Sequence, residues 1–326
     1  MTPFGRASIL DVHGPFSARQ KGCTEMPDHA AYPTVLKSAP SRHRALRQRM
    51  EAPGIVVAPG CYDCITARLV EVAGFDAAYV TGAGVSMSAL GAPDVGALSF
   101  GEILDRIRRI CDAVSISVIA DADTGYGGPL NVIRTMREFE RSGVSAVQFE
   151  DQEWPKKCGH EPGRRIVPAA EMEYRIKAAA DARVDADVMI VPRTDAIANE
   201  GYEAALERAH RYREAGADIL FVEAPQSEAE LGQVPMRLGA PCLANMVEGG
   251  RTPVLPFPKL EALGFKVAIY PNSLTRMFAH AGQDMLVSLK ATGGTAAMAD
   301  RMFNHSQLWS LFENETWTTL EKRFQA

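Results

Sequence analysis

The chain lacks the features that mark membrane, nucleic-acid-binding and disulfide-stabilised proteins. No apolar run approaches the ~20 residues that a helix needs to cross a bilayer. The formal net charge is −5 and no dense block of lysine and arginine is present, which argues against a nucleic-acid partner. Six cysteines in 326 residues are too few for a disulfide framework. We therefore expect a reducing, cytoplasmic location.

What remains is an ordinary globular composition, with 46% hydrophobic and 23% charged residues. Residues 1–45 differ from the rest, because Pro, Ser, Gly and His occur there without a clear period before a basic stretch at Arg42–Arg49. We expect these residues to form an N-terminal extension, either a tail or an arm that packs on another subunit. Residues 46–326 are expected to form a single domain.

Short apolar runs alternate with longer amphipathic ones from residue 55 onward. The runs are apolar nearly throughout, as in strands of a parallel sheet that are buried on both faces. They are Ile55–Ala58, Ala77–Val80, Ser117–Ala120, Ala146–Phe149, Val188–Val191, Ile219–Val222, Cys242–Ala244 and Lys266–Tyr270. Glycines such as Gly74, Gly143 and Gly216 follow helical patterns, where a helix C-terminus favours them. Eight strands alternating with helices predict a (β/α)8 barrel rather than an open doubly wound sheet.

The sequence beyond the eighth strand exceeds what a barrel needs. Leu274–Ala291, Ala296–Phe303 and Ser306–Lys322 have helical patterns, and the last of these carries Trp309 and Trp317 among other apolar residues. Such helices need a partner surface. We therefore predict a C-terminal helical extension that mediates assembly with other copies of the chain.

Polar residues follow each predicted strand. In barrels of this type the active site lies at the carboxyl ends of the strands. The residues are Thr81-Gly-Ala-Gly84 after the second strand, Asp121-Ala-Asp123 after the third, Glu150 and the loop to His160 after the fourth, Arg193-Thr-Asp195 after the fifth, Glu223 after the sixth, Asn245 after the seventh and Tyr270-Pro-Asn272 after the eighth.

Each of these residues alone has an ordinary explanation as a helix cap, an ion-pair partner or a turn. Several acids at one rim, however, repel one another unless a cation offsets their charge. Oxygen ligands favour Mg²⁺, with Mn²⁺ also possible. Cysteine is a poor ligand for such ions, so Cys158, close to Lys156 and Lys157, is predicted to act as a proton carrier or nucleophile. The combination suggests an enolate stabilised by a divalent cation and protonated by a mobile thiol.

Several motifs together carry a resemblance to a known family. They are Thr81-Gly-Ala-Gly84, Leu90-Gly-Ala-Pro-Asp94, Asp121-Ala-Asp123, Glu150-Asp-Gln152, Lys156-Lys-Cys-Gly-His160, Arg193-Thr-Asp195 and Asn245-Met-Val-Glu-Gly249. Over roughly residues 45 to 320 the chain resembles the isocitrate lyase/phosphoenolpyruvate mutase superfamily. Among its short members the resemblance is to 2-methylisocitrate lyase, 2,3-dimethylmalate lyase and carboxyvinyl-carboxyphosphonate phosphorylmutase.

The resemblance implies a role for each matching position. The metal ligands would be Asp121 and Asp123, with Asp94 and Glu150 acting through water. Substrate contacts would come from the backbone amides of Thr81, Gly82 and Ala83 and from Gly159, Arg193, Glu223, Asn245 and Arg276. Catalysis would involve Cys158 as the general acid, Lys156 and His160 on the same gating loop, and Tyr79 near the substrate hydroxyl. The resemblance also implies a homotetramer, a dimer of dimers, that often exchanges a C-terminal helix between subunits.

The implied activity is Mg²⁺-dependent cleavage of a carbon–carbon bond. The products would be an α-keto acid, pyruvate or glyoxylate, and a second carboxylate. Where the tricarboxylate lyases have a second arginine, this chain has His305 or Asn304, and this favours a substituted malate as the substrate. Phosphorylmutase-type cleavage of a P–C bond and hydrolysis or decarboxylation of oxaloacetate remain alternatives. A barrel that only binds a keto acid is the non-enzymatic alternative.

Overall fold

The computed structural model describes residues 32–36, 42–159 and 163–325. Eight parallel strands form a closed barrel in which each strand pairs with the next and the eighth pairs with the first. The strands are β1 (Val56–Cys61), β2 (Ala77–Val80), β3 (Ser117–Asp121), β4 (Ala146–Glu150), β5 (Met189–Thr194), β6 (Leu220–Val222), β7 (Cys242–Asn245) and β8 (Val267–Tyr270). The predicted (β/α)8 fold is confirmed.

Helices connect the strands and continue after the barrel closes. They are α1 (Arg42–Glu51), α2 (Cys64–Val72), α3 (Gly82–Leu90), α4 (Phe100–Ala113), α5 (Pro129–Arg141), α6 (Ala169–Ala182), α7 (Ile197–Glu200), α8 (Tyr202–Glu214), α9 (Glu228–Leu238), α10 (Phe257–Ala262), α11 (Ser273–Thr292), α12 (His305–Leu311) and α13 (Asn314–Arg323). Short 3-10 helices cover Thr34–Leu36 and Ala296–Arg301. Within the described ranges, no helix is both long enough and apolar enough to cross a membrane.

The strands are apolar on both faces because each face is buried. Alternate residues such as Val118 and Ala120 of β3 point outward and pack against the helices. The residue between them, Ile119, points into the barrel. The inward residues become polar towards the carboxyl ends of the strands, where Asp121 and Arg193 lie. This change from apolar to polar layers places the chemistry at one end of the barrel.

Helix α1 covers the opposite end of the barrel. Its Leu46 and Met50 are buried among the inward-facing residues, and the Ser117 hydroxyl donates a 3.1 Å hydrogen bond to the carbonyl of Arg42. The helix begins at Arg42, so the last residues assigned to the extension are part of the barrel's closure. Residues 1–31 and 37–41 lie outside the described residues, and the prediction of a tail or arm concerns mainly these.

Thr81–Gly84 begins helix α3, with Thr81 as its N-cap. Two local predictions need correction. The predicted helix Ser306–Lys322 is two helices, because Glu313 adopts a left-handed conformation (φ 57°) between them. The stretch after α11 is a 3-10 helix that ends before Asn304, whose side chain caps α12.

The burial of α1 generates a stability prediction. Leu46 is 1% exposed, so Leu46→Ala removes packed methyl groups and leaves a cavity. We expect the free energy of unfolding, measured in urea, to fall by about 2–5 kcal/mol. Leu130→Ala is the matched control, because Leu130 is 81% exposed and its loss should change stability by less than about 0.5 kcal/mol. Equal effects of the two substitutions would contradict the role of α1.

Candidate active site

A cavity of about 260 Å³ opens at the carboxyl ends of the strands. Most of the site residues predicted from the sequence line it. These are Tyr79, Thr81, Ala83, Asp94, Asp121, Cys158, Gly159, Arg193, Glu223, Asn245 and Arg276. Four others, Gly82, Asp123, Glu150 and Lys156, are bonded to or packed against lining residues rather than lining the cavity themselves. His160 lies outside the described residues.

The turn after β3 brings two carboxylates together. Asp123 has a left-handed backbone (φ 48°), which aspartate tolerates better than most residues. Its N–H donates a 3.0 Å hydrogen bond to Oδ1 of Asp121, and its carbonyl accepts one from the N–H of Glu150. Asp121 Oδ2 faces Gly82, where an added Cβ would lie 3.0 Å away. Glycine at position 82 therefore leaves this oxygen accessible from the helix terminus.

Lys156 neutralises part of this acidic cluster. Its Nζ lies 2.5 Å from Oδ1 of Asp94 and 2.7 Å from Oδ1 of Asp123, and its side chain is buried. Burial alone would disfavour the ammonium, but the neighbouring carboxylates, Asp123 first, raise the pKa of Lys156 well above its usual value. Burial raises the pKa of Asp123 to about 6 despite the nearby ammonium. The cluster therefore strongly favours a cation.

Arg193 forms a second charged cluster on the neighbouring strand. Its guanidinium lies 3.2 Å from Oε2 of Glu150, 2.9 Å from Oδ1 of Asp195 and 3.7 Å from Oε2 of Glu223. Asn245 donates a 3.1 Å hydrogen bond to Oε2 of Glu223. Burial raises the pKa of Glu150 well above its usual value, and Arg193 opposes that shift. These contacts hold the guanidinium at the cavity wall, where it can bind an anionic substrate.

The beginning of α3 is a second site for an anion. Gly82 and Ala83 are the first residues of the helix, so their N–H groups have no partner within it. The amide of Thr81 is not available as predicted, because it donates a 3.1 Å hydrogen bond to the carbonyl of Cys61. The Thr81 hydroxyl instead lies 3.3 Å from Oδ1 of Asn272. Two amides rather than three can therefore receive a carboxylate.

The loop that carries Cys158 is fixed at its base. Gln152 pairs with Ile166 in an antiparallel bridge, and its side-chain amide bonds with both backbone groups of Lys157. Gly159 lies directly against Arg193, since an added Cβ would be 2.1 Å from Nη2 and 3.0 Å from the Glu223 carboxyl group. The loop therefore closes over the cavity through Lys156 on one side and Gly159 on the other.

Arg276 lies at the mouth of the cavity and is paired. Its Nη1 is 2.8 Å from Oε2 of Glu248, and Oε1 of the same carboxylate accepts a hydrogen bond from the Ser273 hydroxyl. His305 does not line the cavity in this chain. It is exposed at the start of α12, where its ring packs on Trp309 with the ring centroids 5.1 Å apart. The position that replaces the second arginine thus lies outside the lining of the cavity of its own chain.

No role was predicted for two buried polar residues. Gln148 lies in the apolar strand β4 and bonds to both Tyr79 and Asp121. Asp195 was noted in its motif but was not assigned to the site, although it pairs with Arg193. The available signal was the amide of Gln148 inside an otherwise apolar strand, since such a group needs hydrogen-bond partners.

The donor atoms fit Mg²⁺ in chemistry. Asp94, Asp121, Asp123 and Glu150 offer only carboxylate oxygens, and Oε1 of Glu150 is buried without a hydrogen-bond partner among the described residues. In the described part of the chain, no three His, Cys, Asp or Glu side chains converge tightly enough to hold an ion by themselves. Mg²⁺ typically uses one or two carboxylates and keeps several waters.

The fold and the site define a class of enzyme: a (β/α)8 barrel with an acidic cluster, an arginine and a thiol-bearing loop at the carboxyl ends of its strands. Residues 46–290 match the model of the phosphoenolpyruvate phosphomutase family, and the chain belongs to that family. It is a lyase of the isocitrate lyase/phosphoenolpyruvate mutase superfamily. That superfamily comprises carbon–carbon lyases and mutases.

Relatives of established name cover most of the chain. It is 46% identical over 279 residues to 2,3-dimethylmalate lyase of Eubacterium barkeri, which covers 86% of this chain and 96% of the relative. It is 41% identical over 266 residues to 2-methylisocitrate lyase of Aeropyrum pernix, with 82% and 85% covered. The relatives therefore include lyases that act on different substrates.

Solved structures agree with the fold. Oxaloacetate acetylhydrolase, in complex with the inhibitor 3,3-difluorooxalacetate, superposes with a TM-score of 0.82 at 32% identity, covering 89% of this chain and 97% of the other. Phosphonopyruvate hydrolase in complex with oxalate and Mg²⁺ gives a TM-score of 0.79 at 28% identity, with 87% and 99% covered. A structural neighbour thus binds the ion predicted from the sequence.

The contact between the loop and Arg193 can be tested through the reactivity of Cys158. Gly159→Ala places a methyl group against a guanidinium held by three carboxylates, so the closed loop is destabilised. A cost of about 1–3 kcal/mol would make Cys158 react with iodoacetamide about five- to 150-fold faster. Peptide mass spectrometry would follow this reaction, with the partly exposed Cys64 as the internal reference.

Gly128→Ala provides the control, because nothing lies within 4 Å of an added Cβ at that position. It should leave the alkylation rate of Cys158 unchanged. If Gly159→Ala did not accelerate alkylation, packing of the loop against Arg193 would not be what holds it closed.

Proposed function

We propose that this lyase cleaves a substituted malate, or a related 2-hydroxy dicarboxylate, in a Mg²⁺-dependent reaction. The products are an α-keto acid, pyruvate or glyoxylate, and a second carboxylate. The main support is one arrangement: the loop that carries Cys158 is bonded through Lys156 to the carboxylate cluster of the same cavity. The thiol-bearing residue and the anion-binding groups therefore line the same cavity.

Substrate binding follows from the groups that face the cavity. The amides of Gly82 and Ala83 and the guanidinium of Arg193 supply positive potential for a carboxylate. Tyr79 contacts the hydroxyl at C2. Arg276 stands at the mouth, where Glu248 offsets its charge, and this favours a dicarboxylate over a tricarboxylate. A small alkyl substituent fits beside Val247 and Ile269.

The reaction requires the substrate hydroxyl to lose a proton and the departing fragment to gain one. Loss of the hydroxyl proton drives cleavage of the adjacent C–C bond, and the electron pair remains on the departing fragment as an enolate. Cys158 donates its proton to that fragment. The closed loop excludes water, so the thiol rather than solvent quenches the enolate.

Mg²⁺, held directly by Asp121 and Asp123 and through water by Asp94 and Glu150, would supply positive charge next to the substrate oxygens. Lys156 holds the loop in place and shares the negative charge of Asp94 and Asp123. Burial, followed by the charge of Asp121, raises the pKa of Tyr79 well above its usual value, so the phenol keeps its proton. Tyr79 therefore serves as a hydrogen-bonding partner of the substrate.

Cleavage of oxaloacetate is the second candidate reaction. Its support is the close superposition with oxaloacetate acetylhydrolase. The two activities differ in their products, since hydrolysis of oxaloacetate yields oxalate and acetate without a new keto acid. One product analysis by NMR therefore separates them.

The test is incubation of the purified protein with Mg²⁺ and a panel of alkylated malates, citrates and oxaloacetate. We expect a keto acid from a substituted malate, no turnover in EDTA, and recovery when Mg²⁺ or Mn²⁺ is added. Cys158→Ser should lower the turnover number by about 10²–10⁴-fold, the usual contribution of a general acid. Asp123→Ala should abolish turnover through loss of metal binding.

Cys64→Ser is the matched control, because Cys64 lies at the start of α2, outside the cavity. It should retain full turnover. Full activity of both Cys158→Ser and Asp123→Ala would refute the mechanism. Production of oxalate and acetate alone would favour the second candidate.

We also propose that the chain forms a homotetramer through its C-terminal helices, with exchange of a helix between subunits. None of the twenty residues of α11, all of them described, is buried. Phe278, Leu286 and Val287 form an apolar strip along it, and Leu286 is 60% exposed. Most helical stability in proteins comes from packing of an apolar face rather than from the helix's own backbone bonds, so this exposed strip needs a partner.

Light scattering tests this assembly. We expect a mass equal to four 35.4 kDa chains for the unmodified protein. Leu286→Glu should shift the mass towards the monomer, because it places a charge in the apolar strip. Leu130→Glu alters a leucine that is exposed on α5 and should leave the mass unchanged. A monomeric unmodified protein would contradict the proposal.

A further inference from the structure

Gln148 is a fully buried amide that the mechanism above does not use. It lies in β4 opposite Asp121 of β3, and it points into the barrel one layer below the cavity. Both of its bonding partners, Tyr79 and Asp121, line the cavity, whereas Gln148 does not. Any influence of Gln148 on a ligand must therefore pass through these two side chains.

The direction of the hydrogen bonds that link Asp121, Gln148 and Tyr79 follows from which of their groups can donate and which can only accept. The Asp121 carboxylate can only accept, and its Oδ1 lies 3.0 Å from the N–H of Asp123 and 3.2 Å from Gln148. The amide group facing Asp121 must therefore be Nε2 of Gln148. Its carbonyl oxygen Oε1 then faces Tyr79, with the two oxygens 2.9 Å apart.

An amide carbonyl cannot donate a hydrogen bond, so the Tyr79 hydroxyl must donate to it. A phenol carries a single hydroxyl hydrogen, and in this arrangement that hydrogen is directed down into the barrel. Only the lone pairs of the Tyr79 oxygen remain for a molecule in the cavity. Tyr79 therefore offers an acceptor, not a donor, to whatever binds next to it.

We propose that Gln148 is a positioning residue that fixes the polarity of Tyr79 and so makes the cavity select a hydroxyl group over a carbonyl group at C2 of its ligand. A hydroxyl group can donate a hydrogen bond to the Tyr79 oxygen, whereas a keto oxygen is repelled by the lone pairs of that oxygen. The inference rests on the proposed function for the kind of ligand, a 2-hydroxy acid. It assigns the discrimination between hydroxy and keto acids to a residue that touches neither.

The test compares the binding of lactate and pyruvate, which differ at C2 and contain no bond that the proposed lyase would cleave. Calorimetric titration in the presence of Mg²⁺ gives the ratio of the two dissociation constants. Gln148→Met removes both hydrogen bonds at similar side-chain length, so the Tyr79 hydroxyl is free to turn and donate. The ratio should shift towards pyruvate by about two- to tenfold, the effect of one hydrogen bond.

Two further variants separate this role from a structural one. Tyr79→Phe should weaken the binding of lactate by a similar factor and leave the binding of pyruvate almost unchanged. The double variant Tyr79→Phe, Gln148→Met should show the same ratio of dissociation constants as Tyr79→Phe alone. Ser117→Ala removes a buried hydrogen bond at the opposite end of the barrel and should not change the ratio. Tyr79→Phe also tests the proposal if Gln148→Met fails to fold.

A ratio that is unchanged in Gln148→Met, or equal weakening of both ligands by Tyr79→Phe, would overturn the proposal. The absence of binding by both ligands to the unmodified protein would also overturn it. These outcomes are independent of the lyase assay, which measures turnover. A protein that cleaves no malate can still show the predicted ratio, and an active lyase can fail to show it.

Discussion

The structure depends on the balance of charge at one end of a barrel that is otherwise closed to water. Asp94 and Asp123 pair with Lys156 beside Asp121, and Glu150 and Glu223 pair with Arg193. Carboxylates so close in a region of low polarity cannot all remain charged without cations. Lys156 compensates the first group and Arg193 the second.

One consequence is that closure of the loop and charge compensation are the same event. Lys156 lies only two residues before Cys158, so the ammonium cannot reach the acidic cluster unless the loop is closed. A loop that opened would separate the Lys156 ammonium from Asp94 and Asp123. Charged groups in the cavity therefore determine the position of the loop that carries the Cys158 thiol. Occupancy of the site is thereby coupled to the exclusion of water from the cavity.

Much of the fold and of the candidate site could be predicted from the sequence, because the patterns that indicate them lie within short stretches of the chain. Buried strands gave continuous apolar runs, and chemistry at their ends followed from the barrel topology, so the acidic cluster and Arg193 were found. Residues with a left-handed backbone conformation were harder to predict. Glu313 adopts this conformation and divides the last predicted helix into two, yet glutamate gives no signal of it in the sequence. The bond from the Thr81 amide to Cys61 depends on the register of two strands, which residue types alone do not specify.

The role of Gln148 was hidden for a related reason, since a single amide says nothing about which groups it bonds until the barrel brings them together. Its two bonds also explain why the layer below the cavity is polar at all. An apolar residue there would leave the Tyr79 hydroxyl without this acceptor, so it could turn towards the cavity, whereas Oδ1 of Asp121 would keep its hydrogen bond from the Asp123 N–H. Selectivity can therefore be set beneath the binding surface, by a residue that constrains the direction of hydrogen bonds. Substitutions that change ligand preference need not line the cavity, because the orientation of a lining hydroxyl is determined one layer deeper.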